Sequence, residues 1–436
     1  MTRTITYAAV PDVIDEARWP GIGSVAGSPL RAAVARALFT SAVARLPLRV
    51  RLRAAAGPGG GRDAGPDGRV LGTGGPGSPE MTVYRPGAFF RRLGAGGLIG
   101  LGESYMAGDW GSSDLTGLLT VFAAEVGDLV PPRLRRLRRL AVRRHPAGDE
   151  PTPDGARRNI HRHYDLSNEL FALFLDETMT YSSALFPAGP AGAPRAADHL
   201  LAGAQRRKID ALLDRAAVGP GTRLLEIGTG WGELAIRAAA RGARVVTVTI
   251  SPEQHALASR RVAEAGLSGQ VRVELRDYRE VAGEYDAICS AEMIEAVGEK
   301  YWPAFFAVLD RVLAPGGRAA LQAITMAHDR MLATRHTYTW IQRYIFPGGL
   351  IPSVTVIENA AGTAGLRVAG RADFGEHYAE TLPIWRERFA ARATEVKELG
   401  FDEVFIAMWT FYLCYAEAGF RARYLDVCQL TLVKDA

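Results

Sequence analysis

The segment TRLLEIGTGWGELAIRAAARG (222–242) constrains the fold of this chain more than any other. A short apolar run ends in Glu226, a turn carries Gly228, Gly230 and Gly232, and a stretch with helical apolar spacing follows at once. A run of this kind bounded by glycines suits a strand buried on both faces, and its passage through a tight turn into a helix is how an open α/β sheet begins. The glycines allow a sharp turn and a close approach of backbone to ligand. Their spacing is GxGxG rather than the GxGxxG of dinucleotide folds. A dinucleotide would also call for an acid about 20 residues further on. The next strand, ARVVTVTIS (243–251), has none at its tip, where the polar candidates are Thr249, Ser251 and Gln254. Taken alone, the turn also fits a plain strand–helix connection with no ligand.

Three more units follow. VRVELRDYRE (271–280) puts Asp277 and Tyr278 at a strand end, and EYDAICSAEMIEAVG (284–298) is an apolar strand with acids at its tip. YWPAFFAVLDRVLAPGGRAALQAIT (301–325) gives a helix, a PGG turn and a fifth strand. In open α/β sheets ligands bind at the carboxyl ends of the strands, which is where these polar residues fall. The order and residue types resemble class I S-adenosylmethionine (SAM) methyltransferases.

Upstream the character changes. Residues 28–46 read as an amphipathic helix, Leu48–Leu52 alternates like a strand, and another apolar helix is expected near Leu115–Val126. Gly57–Pro79 holds ten Gly and four Pro in 23 positions and is expected to be a disordered loop. Pro131–His145, PPRLRRLRRLAVRRH, carries seven Arg and no acid, with Leu134, Leu137, Leu140 and Ala141 along one side. PAGDEPTPDGA after it reads as an interdomain linker. The expected division is an N-terminal lipid- or membrane-engaging α+β domain over 1–130, a basic helix and linker over 131–156, and a Rossmann-like catalytic domain over 157–436.

Charge follows the same division. Overall there are 52 basic and 47 acidic residues, net +5, yet residues 1–145 hold 20 and 11 while 146–436 hold 32 and 36. The excess of +9 in the first part and −4 in the second suggests that the first faces something anionic. The Arg-rich stretch suits an anionic membrane surface, with its leucines entering the interface. It equally suits a solvated helix whose leucines dock on its own domain. No DNA-reading motif accompanies it, so nucleic acid is not expected. No run of 18 apolar residues occurs, and the first twenty residues lack the apolar core of a signal peptide, so the protein is expected in the cytoplasm, peripheral to the inner membrane surface. The three cysteines, Cys289, Cys414 and Cys428, form no CxxC pair, which argues against a thiolate zinc site or a disulfide framework.

Six spaced motifs narrow the resemblance. NIHRHYDLSNELFALFLDETMTYSSALF (159–186), VTISPEQHALASRRV (248–262), EMIEAVG (292–298), QRYIFPGGLIPS (342–353), HYAETLPIWRERF (377–389) and FYLCYAEAGFRAR (411–423), with IGLGESYMAGDW (99–110) before them, resemble the cyclopropane-fatty-acyl-phospholipid synthase family. The resemblance covers roughly residues 85–436. It implies SAM-dependent delivery of a one-carbon unit to the cis double bond of an unsaturated acyl chain in a phospholipid bilayer. Carried over position by position, Tyr181 and Ser182 contact the amino-acid part of SAM above Gly228 and Gly230. Thr249 and Gln254 reach the ribose and Asp277 with Tyr278 the adenine; Glu226 and Gly232 complete the set. The aromatic stretch 335–390, with Tyr338, Trp340, Tyr344, Phe346 and Trp385, is expected to cover the acyl channel.

Methyl transfer to an alkene leaves a carbocation, so the site should be apolar with negative charge close by. A proton must then leave the transferred methyl. The resemblance implies that a bound bicarbonate takes it, held at positions that here read Glu295, Gln322, Tyr378, the Ile324 backbone and the Ser183 backbone. Two of these depart from the family. Ser183 stands for Cys, and Gln322 stands for His, so that an amide that cannot titrate replaces an imidazole. Glu292 lies where many relatives have Gly, and two nearby carboxylates can raise one another's pKa; a pair of solvated carboxylates at a helix start is the plainer reading. EMIEAVG with QAIT also resembles the branch making methylene-bearing chains, which a separate reductase then saturates, so cyclopropane and exocyclic methylene both stay open as products. A small-amine methyltransferase and a lipid-binding protein that has lost catalysis are the alternatives.

No cysteine nucleophile is expected, because the position sometimes given that role reads Ala416; Cys414 nearby is read as a buried apolar residue. His161 and His163 lack a third ligand and suggest no metal. Asp165 and Asn168 are expected to cap the helix ELFALFL.

Overall fold

In a computed structural model the described residues are 14–25, 27–53, 70–125, 146, 150, 152, 155, 167–189 and 192–435. The basic stretch 131–145, most of the linker, and His161, His163 and Asp165 lie outside them. The chain divides into two compact units.

The smaller unit takes the described residues up to 125 together with Thr339–Tyr344 and Phe389–Ala422. Its sheet has the order β2-β1-β3-β4, from β1 (Arg49–Leu52), β2 (Val70–Leu71), β3 (Glu80–Val83) and β4 (Trp110–Ser112). β1 runs parallel to β3 and antiparallel to β2. The disordered loop expected through Pro79 is therefore too long: Val70 pairs with Arg51 and Leu71 with Val50, because Leu71 is a buried apolar residue in a register that continues the β1 ladder. The first helix, Pro29–Val43, and the helix Leu115–Glu125 fall where they were expected, but the first is not amphipathic, since Leu30, Val34 and Leu38 are exposed.

IGLGESYMAGDW acquires a physical meaning in this unit. A Cβ on Gly102 would lie 2.4 Å from the Trp340 ring, and one on Gly100 would lie 2.1 Å from the Arg92 carbonyl oxygen. The Trp110 indole donates to Ser104 Oγ at 3.0 Å, and buried Asp109 pairs with buried Arg92 at 2.9 Å. The helix Glu403–Arg421 groups with this unit by its contacts. Its run FIAMWTFYLCYAEAGF is buried almost throughout, packed on the helices Leu98–Met106 and Leu115–Glu125, and Thr116 donates to its Glu417 at 3.0 Å. The stretch 335–390 is likewise divided: Trp340 and Tyr344 go with the smaller unit, Tyr338, Phe346 and Trp385 with the larger.

The larger unit is a seven-stranded sheet built from β5 (Arg223–Ile227), β6 (Arg244–Thr249), β7 (Val271–Leu275), β8 (Tyr285–Ala291), β9 (Leu313–Met326), β10 (Leu366–Asp373) and β11 (Leu425–Lys434). The order is β10-β11-β9-β8-β5-β6-β7, with β11 antiparallel to both neighbours and the other pairings parallel. The strand order reverses between β5 and β8, which opens a crevice at their carboxyl ends. Both sheet faces are covered by apolar clusters, one around Leu225, Ile288, Phe305 and Leu321, the other around Leu224, Leu213 and Ala238.

Candidate active site

Gly228, Gly230 and Gly232 all have positive φ, at 94°, 51° and 91°. A Cβ on Gly230 would meet nothing within 4 Å, so this turn faces open space, whereas one on Gly232 would press on Ala258 at 3.2 Å. Gly230 thus forms an open cradle, while Gly228, where a Cβ would meet Met293 at 3.1 Å, and Gly232 serve close packing. Glu226 beside the cradle is buried, its Oε2 has no hydrogen-bond partner, and burial pushes its carboxyl up to about 8. An orphaned buried carboxyl next to an open glycine turn fits the polar amino-acid end of SAM. The opposite wall is prepared as well: Thr249 donates to Gln254 Oε1 at 2.9 Å, which leaves the Gln254 amide as a donor for hydroxyls. Asp277 is held by Arg279 at 2.8 Å, and the Tyr278 ring meets Phe305 edge-on at 5.4 Å within the core.

The loop Thr180–Ala184 is pinned from two sides. From the helix Leu201–Arg215, Gln205 donates to the Ser182 carbonyl at 2.9 Å and Lys208 to the Ser182 hydroxyl. From the helix Gly375–Ala391, Thr381 accepts the Ala184 N–H at 3.2 Å, and His377 Nδ1 accepts the Phe186 N–H at 3.0 Å. An accepting ring nitrogen requires a neutral imidazole, and burial lowers the His377 pKa accordingly. Tyr181 then stands among Phe171 at 5.1 Å, Trp385 at 5.3 Å and Phe174 at 6.2 Å. Trp231 joins through Phe171 at 4.9 Å, and Tyr378 through Trp385 at 6.0 Å. Aromatic faces attract cations, so this wall suits a sulfonium and the carbocation that follows it.

The acidic end is built on β8 and β9. Gln322 lies in β9 between Ala291 of β8 and Gln429 of β11. Its Oε1 accepts from Gln429 at 3.1 Å, which orients its amide nitrogen to donate to Glu292 Oε1 at 2.8 Å. The Ser183 N–H donates to the same oxygen at 2.9 Å, and the Tyr378 hydroxyl donates to Glu292 Oε2 at 3.0 Å. The Ile324 N–H donates to Glu295 Oε1, while Glu295 Oε2 is buried without a partner. Burial and the neighbouring Glu292 charge raise the Glu295 pKa to about 8. Glu292 is also raised by burial, but Lys208, Ser183, Gln322 and Tyr378 all favour its charged form. Burial raises both, and what separates them is geometry: Glu292 accepts from Ser183, Gln322 and Tyr378, whereas Glu295 accepts from the Ile324 N–H alone and leaves Oε2 without a partner, so charge is better accommodated on Glu292.

All six residues expected at the catalytic end therefore converge. Lys208, Gln429 and Trp231 were missed. Lys208 is 1% exposed, with its pKa lowered to about 8 by burial, and it is the cation that Glu292, Asp176 and Glu226 share. Its place on the apolar stripe Leu201, Ala204, Ile209, Leu212 was a readable signal. Asn168 does not cap its helix; Ser167 does, accepting from the Leu170 N–H at 3.3 Å, and Asn168 instead accepts from the Trp231 indole at 2.7 Å. All three cysteines are buried. A surface cleft lined by Arg223, Gly269 and Glu284 opens at the other ends of the strands and contains none of these residues.

The sequence profile of the mycolic acid cyclopropane synthetase family matches residues 152–430. The tuberculostearic acid methyltransferase UfaA1 of Mycobacterium tuberculosis (strain ATCC 25618 / H37Rv) is 52% identical over 437 residues, covering 99% of each chain. The cyclopropane-fatty-acyl-phospholipid synthase of Escherichia coli (strain K12) is 35% identical over 353 residues, 80% of this chain and 87% of its own. Among solved structures, mycolic acid cyclopropane synthase CmaA1 complexed with SAH and CTAB superposes with a TM-score of 0.57 at 31% identity, over 64% of this chain and 98% of that one.

Proposed function

This chain belongs to the mycolic acid cyclopropane synthetase family and is a SAM-dependent methyltransferase; from that premise we propose that it transfers a one-carbon unit to the cis double bond of an unsaturated acyl chain in phospholipid, and that the product carries an exocyclic methylene. SAM, when bound, supplies an electrophilic methyl on a sulfonium. Gly228, Gly230 and Glu226 would hold its amino-acid end with Tyr181 and Ser182, and Thr249 with Gln254 its ribose. The alkene becomes a cation in an aromatic enclosure formed by Tyr181, Trp385 and Tyr378. Lys208 offsets the resting charge of Glu292 and fixes Ser182, so one buried cation serves both ends of the site.

The observation that carries this reading is the convergence of Ser183, Gln322 and Tyr378 on Glu292, next to the buried Glu295 and beside that enclosure. It supports removal of a proton from the former methyl, a step that amine methylation does not need. Gln322 as a neutral donor favours a cation that lives long enough for a hydride shift, after which proton loss leaves the methylene. The relative that spans 99% of this chain is named for tuberculostearic acid, a methyl-branched acid, and this supports the same product. A separate reductase would then saturate it. The basic residues upstream of the linker support docking on an anionic membrane surface, and among the described residues no helix is long and apolar enough to cross one. Incubation with radiolabelled SAM and vesicles of monounsaturated phospholipid tests the activity. Label in the lipid fraction is expected; label in soluble amines alone would overturn the reading.

A further inference from the structure

The resemblance implies a bicarbonate held by Ser183, Gln322, Tyr378, Ile324 and Glu295. The structure does not fit that ion, because the donors already have an acceptor. Ser183 has one N–H and Tyr378 one O–H, and both go to the Glu292 carboxylate at 2.9 and 3.0 Å. The Gln322 amide donates to it at 2.8 Å and is kept in that orientation by Gln429. The Ile324 N–H is taken by Glu295. A second anion in the same place would meet two carboxyl groups, Glu292 and Glu295, where the nearby cation Lys208 is already engaged by Glu292.

We propose that the Glu292 side chain fills the anion seat itself and is the base that takes the proton from the transferred methyl, so that this enzyme works without bicarbonate. This rests on the methyl transfer proposed above and assigns its last step. One carboxylate oxygen takes the proton from the former methyl carbon, and the released C–H electron pair becomes the second bond of the methylene, or the ring bond if the cation has not shifted. Glu292 ends the step as a carboxylic acid, and no other reactant is consumed.

The backbone gives an independent observation. Glu292 has φ 52°, one of four non-glycine residues with positive φ among those described. The left-handed region costs an L-residue about 1 kcal/mol or more. Glycine occupies it without that penalty, yet this position holds a glutamate whose oxygens both find partners. Strain retained at a site where the side chain is fully engaged marks a functional demand.

The test compares wild type, Glu292→Gly and Glu292→Gln in buffer stripped of CO2 and in buffer supplemented with bicarbonate, reading label transferred to lipid. Wild-type turnover is expected to be the same in both. Glu292→Gly should be at least ~100-fold slower in stripped buffer, the size expected for a positioned base. Bicarbonate should restore it saturably, because the vacated donors then have an anion to hold. Glu292→Gly should still bind S-adenosylhomocysteine. Glu292→Gln, which keeps the side-chain volume without the charge, should be slow in both buffers. Wild-type turnover that falls on stripping and returns with bicarbonate would overturn the proposal, as would a Glu292→Gly enzyme that is fully active in stripped buffer or one that binds S-adenosylhomocysteine and is not rescued. Absence of label in lipid from wild type under every condition would instead overturn the proposed activity.

Discussion

Replacing Glu295 with Gln separates the two carboxyl groups by their protonation. In the native protein the Glu295 carboxyl is raised to about 8 from an ordinary 4.5, first by burial and then by the Glu292 charge. Between these values the folded chain keeps a proton that the unfolded chain has lost. Stability therefore falls as pH rises through this window and levels off above it. The full interval of about 3.5 pH units corresponds to an upper bound of ~5 kcal/mol at 1.36 kcal/mol per unit. Glu295 is only partly buried, so water relaxing around it should reduce this to about 2–3 kcal/mol. Glu295→Gln mimics the protonated acid: its amide oxygen can accept from Ile324, and nothing titrates. Urea unfolding at intervals from pH 5 to pH 9 should show the variant gaining on wild type as pH rises, by that amount at pH 8. Label transfer to lipid should persist in the variant, since Glu295 is a neutral group in this account. Parallel stability curves, or loss of turnover as complete as in Glu292→Gln, would refute the assignment of acid and base.

Lys208→Met removes the cation shared by Glu292 and Glu226, and breaking a buried pair typically costs ~3–5 kcal/mol; the carboxyls relieve this by taking up protons, so urea unfolding should show a larger loss at pH 9 than at pH 6, and a variant as stable as wild type at pH 9 would contradict the role. Gly102→Ala would put a Cβ 2.4 Å from the Trp340 ring, and overpacking of this kind costs about 1–3 kcal/mol, to be read in the thermal unfolding of the smaller unit. Replacing Arg135, Arg136, Arg138 and Arg139 with Gln should weaken sedimentation with anionic vesicles on the order of several hundredfold, at ~1 kcal/mol per Arg near a charged surface. Unchanged sedimentation would leave those residues to a helix docked on its own domain.

Much of the larger unit was legible because its information is local. The run ending in Glu226, the positive-φ glycines and the alternation of apolar strand with helix lie within short windows, and the observed strands follow them closely. Glu292 and Glu295 were legible as a candidate acidic pair by type and position. What stayed hidden was the arrangement between strands. Gln429 sits beside Gln322 only through the β9–β11 register, and no short window contains both. Glu292 was visible as an extra acid beside Glu295, but its place at the centre of the donors follows from a positive φ that sequence does not display. Lys208 was hidden by its surroundings in AQRRKIDAL, where a third basic residue after two arginines reads as a solvated face until the helical period is counted. The helix Glu403–Arg421 lies within the family match, yet its apolar faces find partners on helices near the N-terminus, a pairing that no short window of sequence displays.

The central claim is that the transferred methyl becomes a carbon of the acyl chain after losing a proton to this acidic site. Proton and carbon NMR of phospholipid recovered after reaction with methyl-13C SAM tests it most directly. The account predicts enriched vinylidene signals, with the label in an exocyclic CH2. Enriched upfield ring signals alone would contradict the long-lived cation assigned to Gln322, and a label retaining all three methyl hydrogens would contradict proton removal by this site altogether.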